Sequence, residues 1–232
     1  MEKAARFPYR CVSPQELLGR PLNEIEQKFA PSKLYLAAGK SVPLPWPRVA
    51  IVGSRKASSQ GILVAQEIAS FLAEKNVMVV SGLAEGIDTA AHEAAISKGG
   101  STIAVLGTPL DKSYPAKNDA LQKRIMRDHW AISQFPVGYP TEPKNFVIRN
   151  RTMALIAGAS IIVEAGETSG SLHQGWEALR LGRPLFISKV ITDNASLKWP
   201  KKMMDYGAVE LTELEEVIDL LPSSERILQI IR

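Results

Sequence analysis

Four short stretches of this chain combine glycine, small hydroxyl residues and a charged side chain, the residue types that hold phosphate. The first is Gly53-Ser54-Arg55. A glycine directly after an apolar run lets backbone N–H groups approach an anion, and the helix N-terminus that follows adds partial positive charge. Arg55 brings a planar fork of donors that matches a phosphate. The same triplet also describes a tight turn with a solvated arginine. In the second stretch, 81–88, Asp88 stands where a helix N-cap belongs, so capping is its expected duty ahead of ligand contact. Gly82 and Gly86 supply backbone conformations closed to other residues. His92 lies one turn further on and, with no second ligand at metal spacing, reads as a packed or capping histidine.

The third stretch is 146–151, with Lys144 before it. Arg149 and Arg151 flank an asparagine close to Phe146, which joins phosphate contacts to a stacking surface, a combination used on single-stranded nucleic acid. The competing reading makes Phe146 core and pairs the arginines with surface acids. The fourth stretch, 164–171, ends in Ser169-Gly170-Ser171, whose hydroxyls and N–H groups form another anion seat at a helix start. Glu164 and Glu167 beside it would repel phosphate and suit ribose hydroxyls, a cation or acid–base chemistry on a nucleoside. The signatures HExxH, GxSxG, GxxxxGK[ST] and a full GxGxxG are missing, and His92, His129 and His173 are not at metal-ligand spacing. The chain thus offers loops for binding more clearly than machinery for bond-breaking, and no metal site is expected.

These loops need rigid elements to aim them, and the apolar pattern supplies them. Residues 49–52 are a continuous apolar run, as a strand buried on both faces requires, and 77–80, 102–106, 130–135, 161–163 and 184–188 read as further strands. Helical spacing fills the intervals at 62–72, 88–97, 119–127, 151–157 and 172–181, with a last helix at 213–221. Strands alternating with helices predict an α/β domain with a doubly wound, mostly parallel sheet, an extended Rossmann-like fold. In such sheets ligands bind beyond the carboxyl ends of the strands, where all four loops fall.

Before Arg48 the pattern differs. Pro8, Pro14, Pro21, Pro31, Pro43, Pro45 and Pro47 interrupt regular structure. Residues 1–47 read as a Pro-rich extension with short helices at 14–19 and 23–29 and an edge strand at 34–36. The core is expected over 48–222. A tail at 223–232 follows, its apolar end from Arg226 suited to a partner or dimer surface or to packing on its own domain.

Composition bounds the rest. Hydrophobic residues at 45% and charged ones at 22% match an ordinary globular domain. The single Cys11 can form neither an internal disulfide nor a cysteine zinc site. The first ten residues lack the apolar centre of a secretion signal, and no apolar run approaches the ~20 residues of a membrane span. A cytoplasmic, membrane-free protein is expected. The net charge of +4 admits a polyanionic partner without requiring one. The densest basic run, 112–127, reads either as a solvated helix face or as part of an anion surface.

Read together, VAIVGSRKAS (49–58), VVSGLAEGIDTAAHEAAI (79–96), GSTIAVLGTPLDKSYPAKN (100–118), FVIRNR (146–151) and VEAGETSGSL (163–172) resemble the DprA/Smf family of DNA-processing proteins. PSKLYLAAGK (31–40) is similar to the stretch that precedes the family's core. The resemblance implies a homodimer that binds and protects single-stranded DNA in recombination, DNA uptake and competence, and that loads a RecA-type recombinase without cofactor or turnover. Its DNA contacts would fall on Gly53, Ser54, Arg55, Lys144, Phe146, Arg149, Arg151, Ser169, Gly170 and Ser171. The chain departs from the family pattern at Ser133-Gln134, at His173-Gln174-Gly175 and at 189–192, changes expected on the ligand side. A wider kinship to nucleoside-monophosphate phosphoribohydrolases offers an alternative, a nucleotide sensor or hydrolase with Glu164 or Glu177 as acid, although their PGGxGT motif is absent. A third reading makes the core chiefly a scaffold for protein partners.

Overall fold

In the computed structural model, which describes residues 8–223, the elements follow in chain order. The first half comprises β1 (Arg10–Val12), α1 (Pro14–Leu18), α2 (Glu24–Phe29), β2 (Leu34–Ala38), β3 (Arg48–Gly53), α3 (Ser59–Glu74), β4 (Met78–Ser81), α4 (Ile87–Ser97) and β5 (Thr102–Leu106). The second comprises α5 (Asp119–Asp128), β6 (Trp130–Ser133), α6 (Pro143–Ile156), β7 (Ala159–Glu164), α7 (Ser171–Arg180), β8 (Leu185–Ser188), α8 (Lys189–Thr192), α9 (Trp199–Asp205), β9 (Val209–Leu211) and α10 (Glu215–Asp219).

One nine-stranded sheet runs β1-β2-β6-β5-β4-β3-β7-β8-β9. Strands β3 to β9 are parallel, and β2 is antiparallel to both of its neighbours. Side chains alternate across the sheet. Val49 and Ile51 pack beneath α3 and α4, while Ala50 and Val52 point to the opposite face with Met153 and Ile156 of α6. With both faces covered, the strand interiors have no solvent side, which is why their sequences run apolar without alternation. The α/β, doubly wound, Rossmann-like fold is as expected.

Sheet order locates the crevice. From β3 the chain moves outward through β4, β5 and β6, whereas β7, β8 and β9 build in the other direction. The connections after the adjacent strands β3 and β7 leave to opposite faces, α3 to one and α7 to the other. This is a topological switch point, where an opening forms between the diverging loops.

Several local expectations are corrected. Leu34–Ala38 is not an edge strand: it lies between β1 and β6, so the Pro-rich segment contributes two strands to the sheet. FVIRNR is not a loop but sits inside α6, which begins at Pro143, where the missing N–H would have had no helical partner. Helix α4 starts before Asp88, with Gly86 at its N-cap in a conformation (φ 79°) that favours glycine. The last helix is shorter than 213–221, and the elements α8, α9 and β9 are additional. The first seven residues and the apolar end of the tail lie outside the described residues. No helix among those described is long and apolar enough to cross a membrane.

Candidate functional site

The opening at the switch point is a cleft of about 550 Å³. The β3–α3 connection gives it Gly53, Ser54, Arg55 and Lys56, α6 gives Phe146, Arg149 and Asn150, and the loop before α7 gives Thr168, Ser169, Gly170 and Ser171. Of the residues expected to touch an anion, all line this cleft except Lys144 and Arg151.

Helix geometry explains the split. On α6, Phe146, Arg149 and Asn150 are spaced i, i+3, i+4 and share one face, whereas Arg149 and Arg151, two apart, do not. Arg149 points inward and is buried. Its Nη1 donates to the Val105 carbonyl (2.7 Å) and its Nε to Asn150 Oδ1 (3.1 Å). Burial pulls its guanidinium below the usual arginine range, opposed by the nearby Asp88 charge. Asn150 donates to the Gly170 carbonyl (3.0 Å) and so ties α6 to the loop before α7. Arg151 faces solvent and pairs with Glu177 (3.1 Å), and Lys144 pairs with Glu142 (2.5 Å). The three residues Arg149, Asn150 and Arg151 thus do three jobs: floor, tie and surface pair.

Arg55 differs from these. It is exposed, has no ion-pair partner among the described residues, and lies 4.9 Å from the Phe146 ring centroid and 6.0 Å from that of Tyr114. Tyr114 and Phe146 pack at 5.2 Å, a tilted pair beneath the guanidinium. Tyr114 was not singled out from the sequence, because nothing local marks a tyrosine of the β5–α5 connection as a neighbour of β3. Phe146 in turn seats on Gly107, where an added Cβ would come within 2.5 Å of its ring.

The backbone of the first loop is less available than its composition suggests. Gly53 is glycine because Ile87 packs there, 2.5 Å from a would-be Cβ. The Ser54 amide donates to the Glu164 carbonyl (2.7 Å), and the Lys56 amide to Ser54 Oγ (3.1 Å). The cationic side chains Arg55 and Lys56 therefore carry the anion-binding capacity of this loop. Glu164 is likewise committed: its carboxylate accepts from the Ser58 amide (3.0 Å) and the Ser58 hydroxyl (2.5 Å). Across the cleft, the Ser169 and Ser171 hydroxyls share a hydrogen bond of 2.7 Å at the start of α7.

Beneath the cleft Asp88 is buried, and its carboxylate accepts from the Ala84 amide (3.3 Å). It therefore organises the preceding loop from within the first turn of α4 and does not serve as the N-cap. Burial pushes its carboxyl up, with the Arg149 charge opposing. His92 is a packed histidine and not a cap: its Nδ1 lies 2.6 Å from Thr102 Oγ1. Within the basic run 112–127, Lys117, Lys123 and Arg127 pair with Glu85, Asp119 and Asp128.

A family model described as DNA recombination-mediator protein A matches residues 13–222. The chain belongs to this family. It is 44% identical over 143 residues to the DNA processing protein DprA of Streptococcus pneumoniae, covering 62% of this chain and 50% of that one. With the protein Smf of Escherichia coli it shares 35% identity over 175 residues, 75% of this chain and 47% of that one. The chain thus spans about half the length of these curated relatives. The X-ray structure of S. pneumoniae DprA matches with a TM-score of 0.78 at 32% identity, over 94% of this chain and 76% of that one. A structure of DNA processing protein A from Helicobacter pylori, concerned with its single-stranded DNA binding mode, shares the fold (TM-score 0.74, 23% identity, 92% and 95% covered).

Membership sharpens the meaning of the departures from the family pattern. At His173-Gln174-Gly175 the change is not on the ligand side, as expected, but in the core. Gln174 is buried and donates to Ser160 Oγ (3.0 Å), and a Cβ on Gly175 would meet Ile162 at 2.9 Å. Only His173 of the three is exposed. Gln134 accepts from the Thr152 hydroxyl (2.7 Å) and so fastens the end of β6 to α6.

Proposed function

We propose that the cleft seats the phosphate backbone of single-stranded DNA, with Arg55 as the principal cation. Phe146 and Tyr114 serve as the aromatic surface under a base or under Arg55 itself. The observation that carries this reading is an unpaired, exposed arginine resting on aromatic rings at the switch point, opposite the hydroxyls of Ser169 and Ser171. Cation and stacking surface in one groove are what sequence-independent recognition of an unpaired strand uses. Lys56 adds charge beside Arg55, while Gly53, Ser54, Arg149 and Gly170 shape the seat. Lys144 and Arg151 stand outside it and would reach a strand only where it leaves the cleft.

On the same reading the protein acts in recombination or DNA uptake, protecting single strands as a homodimer and handing them to a RecA-type recombinase. Membership of a DNA-processing family supports this role. A nucleoside-monophosphate hydrolase is not favoured, because both candidate acids are engaged, Glu164 by Ser58 and Glu177 by Arg151 and Arg180.

The test is fluorescence anisotropy with a labelled single-stranded oligonucleotide at rising salt, on the wild type and Arg55→Ala. Affinity should fall steeply with salt through counterion release, and Arg55→Ala should weaken binding and flatten the slope by about one phosphate contact. Absence of binding by the wild type at low salt would overturn the reading. Recombinase loading is tested by filament growth on the coated strand, and the dimer by a light-scattering mass near twice 25.3 kDa.

A further inference from the structure

A groove of about 410 Å³ lies beside the cleft and shares a wall with it, since Arg55 and Lys56 line both cavities. The wall is the β3–α3 connection, which leans on the start of α4. The Ile87 amide donates to the Ser54 carbonyl (3.3 Å), and a Cβ on Gly86 would come within 2.4 Å of that carbonyl oxygen. The segment entering α4 faces both ways: Ala84 and Asp88 line the cleft, Glu85 and Gly86 the groove. Both cavities therefore open at the carboxyl ends of β3 and β4, with Arg55 and Lys56 standing between them.

Helix spacing forms the rest of the groove. Ile62 and Gln66 are i, i+4 on α3, while Gly86, Ala90 and Glu93 run i, i+4, i+7 along α4. Ala57, Ile62 and Ala90 belong to the apolar cluster beneath and make the floor. The polar rim is divided. Thr89 is used internally, donating to the Ala84 carbonyl (2.7 Å) and accepting from Asn118 (2.8 Å), and Glu85 pairs with Lys117. The side chains of Gln66 and Glu93 have no hydrogen-bond or ion-pair partner among the described residues. Glu93 stands two turns beyond Gly86, about 10 Å along the helix. An apolar floor with free cations at one end and unengaged polar groups at the other suits a nucleotide, phosphate at the wall and ring edge at the far rim.

We propose that this groove seats the nucleotide next to the one in the cleft, with Arg55 and Lys56 on the phosphate that joins them and Glu93 accepting from the exocyclic amine of its base. The proposal rests on the cleft reading and adds a base preference to it. A carboxylate accepts and cannot donate. It therefore engages the amine of cytosine and rejects thymine, which carries a carbonyl oxygen at that position. The occupant is the same single strand, because the two cavities share their cationic wall.

The test compares oligodeoxycytidylate with oligothymidylate of equal length at neutral pH, on the wild type and Glu93→Gln. Glu93 is exposed, so the substitution leaves the core untouched. The wild type should favour the cytidine strand at least roughly threefold. Removing an acid near a phosphate backbone strengthens binding to every strand, so the decisive quantity is the ratio of the two affinities. Glu93→Gln, whose amide both donates and accepts, should bring that ratio to about one. A wild type that does not favour cytidine, or a preference that survives Glu93→Gln, would overturn the groove and leave the cleft standing. Failure of the wild type to bind either strand would overturn both.

Discussion

Arg149 illustrates how a side chain can be named correctly as charged and still misjudged in place. Its guanidinium lies flat against Gly82, where an added Cβ would sit 1.6 Å from Nη1 and 2.2 Å from Cζ. The arginine cannot swing aside without abandoning the Val105 carbonyl and leaving a buried donor unpaired. Gly82→Ala should therefore destabilise the protein by ~1–3 kcal/mol or more, read as a lower urea midpoint. Gly166→Ala, with nothing within 4 Å of the added carbon, is the control and should be nearly neutral. Equal midpoints for the two variants would mean that Arg149 does not pack as described.

Among the elements, the connection between β3 and α3 is held from the neighbouring strand β7. Glu164 at the end of β7 accepts the Ser54 amide on its carbonyl and the Ser58 amide and hydroxyl on its carboxylate, and Ser58 Oγ in turn caps α3 by accepting the Gly61 amide (3.0 Å). One acid thus fixes both ends of the segment that carries Arg55. Glu164→Ala should accelerate amide hydrogen exchange at Ser58 and along 54–58 and cost ~1–3 kcal/mol, with exchange in the strands little changed. Unchanged protection across 54–58 would rule out the latch. The sequence made Glu164 visible as a residue but not as a latch, since its partners lie 106 residues away. What was legible follows the same logic. The parallel strands announce themselves because burial on both faces makes their interiors mostly apolar, with the few buried polar residues at or near their ends. The extent of α6 was hidden because Lys144, Asn145, Arg149, Asn150 and Arg151 break its apolar pattern, although three of them are buried. The short α8, α9 and β9 complete too few turns or alternations to show a period.

At the scale of the whole molecule, a buried neutral histidine gives folding a pH dependence. Burial lowers the His92 pKa from 6.5 to about 3. Thr102 Oγ1 donates to the Val79 carbonyl (2.8 Å) and therefore accepts from Nδ1–H, which fixes the neutral tautomer. In the unfolded chain the imidazole takes up its proton at its ordinary pKa, so between 6.5 and about 3 the unfolded state binds more protons. The stabilisation is complete above that window and is lost as the pH falls through it, by at most ~1.4 kcal/mol per pH unit from this residue. Asp88, whose folded pKa is raised, contributes with the opposite sign and does so in wild type and variant alike. Between about pH 7 and about pH 5 the wild type should lose more stability than His92→Asn, measured by urea unfolding at each pH. Parallel pH profiles would place the titration elsewhere.

The antiparallel join between β2 and β6 also orders events in time. Tyr35 pairs with Ser133, so during synthesis the second strand emerges about a hundred residues before the strand it will sit beside. Until then only β1 is available to it, and its other edge keeps unpaired backbone groups, the kind that seek wrong neighbours. The prolines on either side of it, Pro31 before and Pro43, Pro45 and Pro47 after, offer no amide hydrogen to a passing strand. The prolines thereby limit the length of edge that the segment can offer before β6 exists.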